Sequence, residues 1–179
     1  MKNTKIFNVR NIIIFTLIIL FVSLIIISYF NDNKTKILDG YTLYQAEDYE
    51  IQCKSDWNYH NTYANDLPVL AFQSTDNLGL LYICVGSLQE NTTLEKYKDE
   101  STATIRKQEN MSIIKEERIT IDNLEAYQIL TYDSVTNTYQ TLDIIIKGMK
   151  GFLIVYNDNE AYKQVYKNME DTLIIYWKL

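Results

Sequence analysis

From Asn11 to Phe30 the chain carries no charged side chain, and almost every residue is Ile, Leu, Phe or Val. These 20 residues, at a helical rise of about 1.5 Å each, reach about 30 Å, the thickness of a bilayer's hydrocarbon core. Ile12–Ile14, Leu17–Phe21 and Leu24–Ile27 leave no polar stripe. The segment therefore reads as a membrane span rather than a surface-lying or core helix. Lys2, Lys5 and Arg10 precede it, whereas Lys34 and Lys36 behind it are offset by Asp32 and Asp39, which favours an N-terminus inside the cell. Ser28-Tyr29-Phe30-Asn31 is too bulky for a signal-peptide cleavage site, so an uncleaved anchor is expected. The sequence thus predicts a basic cytoplasmic tail over 1–10, a transmembrane signal anchor over 11–30, a short tether over 31–40 and an extracytoplasmic domain over 41–179. Such a protein would sit in the cell membrane as a single-pass chain.

Charge separates the two parts. The 179 residues hold 17 basic and 23 acidic side chains, but residues 37–179 alone hold 12 basic and 22 acidic, a net charge of −10. An acidic body releases no phosphate counterions, so nucleic acid is not expected as a partner. One histidine in the whole chain leaves no room for a His-rich metal site, and no cofactor motif is present.

The body alternates between sheet and helix signals. Tyr49, Ile51 and Cys53 alternate with polar neighbours, as in a half-buried strand. Val69–Ser74 and Leu80–Val85 flank a turn at Asp76-Asn77-Leu78-Gly79. Thr92 with Glu95 predicts a capped helix that presents Leu94, Tyr97, Ser101 and Ile105 on one face. Strands follow at Ile113–Ile121, Leu124–Tyr132, Tyr139–Lys147 and Gly151–Tyr156. A closing helix is expected from near Asn157, burying Ala161, Tyr162, Val165, Tyr166, Met169 and Leu173. The order βββ-α-ββββ-α with hairpin connections predicts an α+β class with a mostly antiparallel sheet.

The stretch Tyr49-Glu50-Ile51-Gln52-Cys53-Lys54-Ser55-Asp56-Trp57 resembles the opening strand and tryptophan corner of PsbP-like (Mog1/PsbP fold) domains. Asn123-Leu124-Glu125-Ala126-Tyr127 resembles that family's Gly-x-x-Ala-Tyr turn, and Gly151–Tyr156 with the Tyr-rich helix behind it resembles the closing strand and helix. Lys54 stands where the family has proline, and Asn123 where it has glycine. The resemblance covers about residues 41–179 and implies a membrane-anchored bacterial member: an αβα sandwich used as a binding or assembly-support module, with no shared catalytic motif.

Four groups of residues could carry chemistry. Cys53 and Cys84 either form a disulfide, closing a loop of about 30 residues worth about 3–4 kcal/mol, or are two buried thiols. His60, with Asp56 or Asp66, is either a metal ligand or general base or an exposed histidine in a loop. The fourteen tyrosines of the body suit half-buried strands and binding surfaces alike. Trp57, Tyr59 and Tyr63, in the expected irregular stretch Trp57–Pro68, are the expected exposed binding group. The leading expectation is a non-catalytic module that binds a protein partner of the membrane or envelope. The alternative is a small envelope enzyme or metal-dependent hydrolase centred on His60.

Overall fold

The computed structural model describes residues 36–175 apart from 48, 65, 66 and 122, with the side chains of 62–68 and 173–175 left aside. Nine strands and two α-helices follow one another: β1 (Tyr41–Gln45), β2 (Glu50–Lys54), β3 (Asn58–Ala64), β4 (Leu67–Gln73), β5 (Leu80–Ser87), α1 (Leu94–Thr102), β6 (Met111–Ile121), β7 (Leu124–Asp133), β8 (Thr138–Lys147), β9 (Lys150–Asn157) and α2 (Lys163–Ile175). Strands β1 and β2 pair with each other; the other seven form an antiparallel sheet ordered β3-β4-β5-β9-β8-β7-β6.

Side-chain alternation sorts the sheet into two apolar faces. Phe72, Leu81, Ile83, Ile145, Phe152 and Ile154 pack with Tyr49, with Ile51 and Cys53 of β2, and with Tyr166 and Met169 of α2. The other face, built from Tyr127, Ile129, Leu142, Ile144 and Val155, receives Leu94 and Tyr97 of α1 and Ile105 of the following 3₁₀ turn. Glycine permits the close approach of α1, since a Cβ at Gly151 would lie 2.5 Å from the Tyr97 ring. The domain is thus an α+β sandwich with a mostly antiparallel sheet, as expected.

The membrane part of the expectation is not retained. Residues 11–30 lie outside the described residues, and among those described no helix is long and apolar enough to cross a membrane. Helices α1 and α2 are amphipathic, with Lys96, Asp99 and Glu100 exposed on one and Lys163, Gln164 and Lys167 on the other. The transmembrane helix, the single-pass placement and the membrane as partner are therefore dropped from the description.

Local differences have clear causes. The expected loop after Trp57 is strand β3, which gains a full ladder with β4 from Asn58↔Gln73 to Ala64↔Leu67. Strand β1 joins β2 in the same way. The α1 cap is Thr93, whose hydroxyl accepts the Lys96 amide at 3.2 Å, while Thr92 donates to the Gln89 carbonyl at 2.8 Å. Helix α2 starts later than expected because Asn159 holds a turn, accepting the Ala161 amide on its side chain and the Tyr162 amide on its carbonyl. Asn123 takes the left-handed turn conformation (φ 63°) in place of glycine, a role asparagine tolerates.

Candidate binding surface

The three aromatic residues expected to form an exposed group have different fates. Trp57 is buried, 6% exposed, with its ring edge-on to Tyr162 and Tyr166 at centroid distances of 5.5 and 6.0 Å. Tyr59 remains 39% exposed and leans on Tyr44 (4.8 Å) and Phe72 (5.5 Å). Tyr63 lies farther along β3, opposite Pro68, and its side chain is not among those described.

His60 is exposed on β3, paired through its backbone with Ala71. Asp56 is also exposed, and Asp66 lies outside the described residues. Among the described residues no group of three or more His, Cys, Asp or Glu side chains could hold a metal ion. Ser55 is occupied with Thr42, hydroxyl to hydroxyl at 3.0 Å. Among the described residues the hydrolase centred on His60 therefore has no assembled site, because strand pairing turns His60 out on β3 and leaves Asp56 in the turn before it.

Cys53 and Cys84 are free thiols. Cys53 belongs to the core on the α2 side, whereas Cys84, beside Tyr82 on β5 and opposite Leu153, belongs to the α1 side. Burial pushes the Cys53 thiol up to about 12 and raises that of Cys84. Neither is a thiolate nucleophile at neutral pH.

Two concavities bear on the candidate site. One, of about 490 Å³, lies over one face of the sheet, from β3 across β4 and β5 to Lys150 of β9. Tyr59, Asn61, Leu70 and Val85 form its sheet wall, Ala46 and Tyr49 of the β1–β2 hairpin its other wall, with Glu47 and Lys150 also in the lining.

The second, of about 650 Å³, lies between α2 and strands β6, β7 and β8. At its base are two carboxyls that sequence reading missed. Asp143 of β8 is fully buried and accepts from Gln128 Nε2 at 3.0 Å and from the Tyr156 hydroxyl at 3.5 Å. Glu170 of α2 hydrogen-bonds Asp143, and its Oε1 is buried without a partner among the described residues. Burial raises both carboxyls, and for Glu170 the bond to Asp143 raises it further. One signal was legible: a lone aspartate inside the apolar run Leu142–Ile146 faces a core on either side of the sheet.

The two ends of the sheet also differ. Among the described residues β3 pairs only with β4, and β6 only with β7. Strand β6 carries Lys115, Glu116, Glu117 and Arg118 at its centre and a bulge between Ile113 and Lys115. Strand β3, Asn-Tyr-His-Asn-Thr-Tyr-Ala, carries no Lys, Arg, Asp, Glu or Pro, and its ladder is regular.

No protein family and no curated protein matches the chain in sequence. Its fold is similar to the solution structure of cyanobacterial PsbP (CyanoP) from Synechocystis sp. PCC 6803, with a TM-score of 0.56 at 11% identity over 79% of this chain and 94% of that one. A Pseudomonas aeruginosa protein of unknown function gives a TM-score of 0.49 at 13% identity, covering 75% of this chain and 96% of that one. At these identities the likeness concerns the fold alone: the described domain has a PsbP-like fold.

Proposed function

We propose that the domain is a non-catalytic binding module that takes up an extended segment of a protein partner as an added strand along β3. The observation that carries this reading is the contrast between the two sheet edges. Exposed edges invite further strands, and proteins ordinarily blunt them with central charges, prolines or bulges. Strand β6 is blunted by both charge and bulge. Strand β3 is not, and the exposed Tyr59 on it begins a half-apolar groove that continues over that face of the sheet. Backbone pairing would supply affinity and the groove at Tyr59 would select alternate side chains. The ten-charge acidic excess of residues 37–179 disfavours a second copy of the chain and favours a neutral or basic segment. The PsbP-like fold fits a binding role and brings no catalytic motif with it.

A photoreactive residue placed at Asn61, with one at Glu116 on the guarded edge as control, tests the reading. The expected outcome is a crosslinked protein at position 61 and not at 116. A synthetic peptide spanning the crosslinked segment should bind the purified domain, and Asn61→Lys should weaken it at least tenfold. Equal labelling at both edges, or a peptide indifferent to Asn61→Lys, overturns it.

A further inference from the structure

We propose that one proton held between Asp143 and Glu170 is a latch that keeps helix α2 seated on the sheet, and that rising pH, by drawing that proton off the opened state, lets α2 lift from the cleft. The two carboxyls come from different elements, one from β8 and one from α2, and meet in the buried base of the cleft. Two ionised carboxylates in contact away from water repel strongly, so the pair holds together only while one of them carries a proton. Asp143 accepts from Gln128 at 3.0 Å and from Tyr156 at 3.5 Å, and the remaining proton is the one shared between the two carboxyls.

The surroundings do not replace the proton. Tyr156 of β9 faces the pair as a neutral phenol, its ionisation driven up by burial. Lys115 and Glu117 of β6, Asp158 after β9, and Lys163, Tyr166, Lys167 and Asp171 of α2 also line the cleft. Three lysines stand against three carboxylates there, so their charges offset. Among the described residues no lysine is hydrogen-bonded to Asp143 or Glu170 in place of the proton.

Strand β8 is laddered on both sides by β7 and β9, whereas among the described residues α2 is held through its side chains. Its ties include Tyr166 and Met169 in the core, Tyr166 against Trp57 and Tyr156 and accepting the Leu80 amide at 3.1 Å, and Asn168 donating to Tyr41 at 3.3 Å. The helix therefore opens before the sheet does. Above about pH 4.5 the opened state gives up the shared proton and the closed state keeps it. The opening equilibrium then rises by up to about tenfold per pH unit until the closed pair also ionises.

Hydrogen exchange of the purified protein between pH 6 and 10, corrected for chemical exchange rates, reads this directly. Wild type should lose protection over residues 163–172 as pH rises while residues 140–146 stay protected. Glu170→Gln supplies a permanent donor to an ionised Asp143 and should keep α2 protected throughout; Asp143→Asn, which also removes the like-charge pair, serves as a second variant. The same pH dependence in wild type and both variants overturns the latch. So does parallel loss over 163–172 and 140–146, which would make the pair a feature of global stability only.

Discussion

Gly79 lies against the six-membered ring of Trp57: a β-carbon on that glycine would sit 2.7 Å from Cη2 and 2.9 Å from Cζ2. The ring cannot retreat, because Tyr162 and Tyr166 back it edge-on. Nor can the glycine, whose amide donates to Ser74 Oγ at 2.7 Å and whose carbonyl accepts the Ser74 amide at 2.9 Å. Gly79→Ala should therefore cost about 1–3 kcal/mol by overpacking. Urea denaturation should show a lowered midpoint with an unchanged slope; a wild-type midpoint would mean that the turn can shift freely.

The same contact separates the two aromatic residues that the sequence groups together. Trp57→Ala empties a buried site and should cost about 3–5 kcal/mol. Tyr59 is partly exposed on an edge strand, so Tyr59→Ala should cost about 1 kcal/mol or less. Thermal melts followed by circular dichroism would rank the two. Any loss of partner binding in the Tyr59 variant then reports on the surface, while a loss in the Trp57 variant reports on folding.

What the sequence disclosed follows from how local each signal is. Glu50–Lys54 alternates apolar and polar residues and Leu80–Val85 is a continuous run of strand-favouring apolar ones, so their strands are visible without knowing what they pack on. The Asp76–Gly79 and Asn123 turns are likewise written in short polar clusters. Strand β3 was hidden because Asn58–Thr62 is polar on both faces, and only its ladder with β4 makes it a strand. The burial of Trp57 depends on Tyr162 and Tyr166, which lie far along the chain. Asp143 was readable as an oddity inside an apolar run, but Glu170, beside Asn168 and Asp171, was not, and their meeting depends on how α2 settles over β8.

The placement of the cysteines on opposite faces of the sheet predicts a simple chemical result. Denatured protein prepared without reductant should titrate two thiols. Native protein at pH 8 should react slowly, Cys53 most slowly, because it is fully buried and its thiol is pushed up to about 12. Fast modification of one thiol in the native state would show that the sheet opens near β2 or β5. Absence of free thiols on denaturation would contradict the two-face arrangement.

At the acid end, Glu95 and Asp76 work in the direction opposite to the Asp143–Glu170 pair. Lys98 at 2.5 Å, Tyr127 and Arg118 at 3.2 Å all donate to Glu95 and hold its carboxyl down at about 2. Ser74 at 2.6 Å, Tyr162 and the Leu78 amide at 3.0 Å do the same for Asp76, also at about 2. Both carboxyls thus bind protons more weakly folded than unfolded. Their contribution is complete above about pH 4.5 and is lost as pH falls toward 2. Glu95 ties α1 to β6 and β7 through Lys98, Arg118 and Tyr127, and Lys98 reaches on to Glu116 at 2.7 Å. Glu95→Gln should therefore lower the urea midpoint at pH 7 and flatten its decline between pH 5 and 2, with the difference shrinking in 1 M salt because Glu95 and Arg118 are exposed to screening. Urea midpoints measured across that range for wild type and Glu95→Gln would decide it: two acid limbs that fall in parallel would place the acid sensitivity elsewhere than at the α1 clamp.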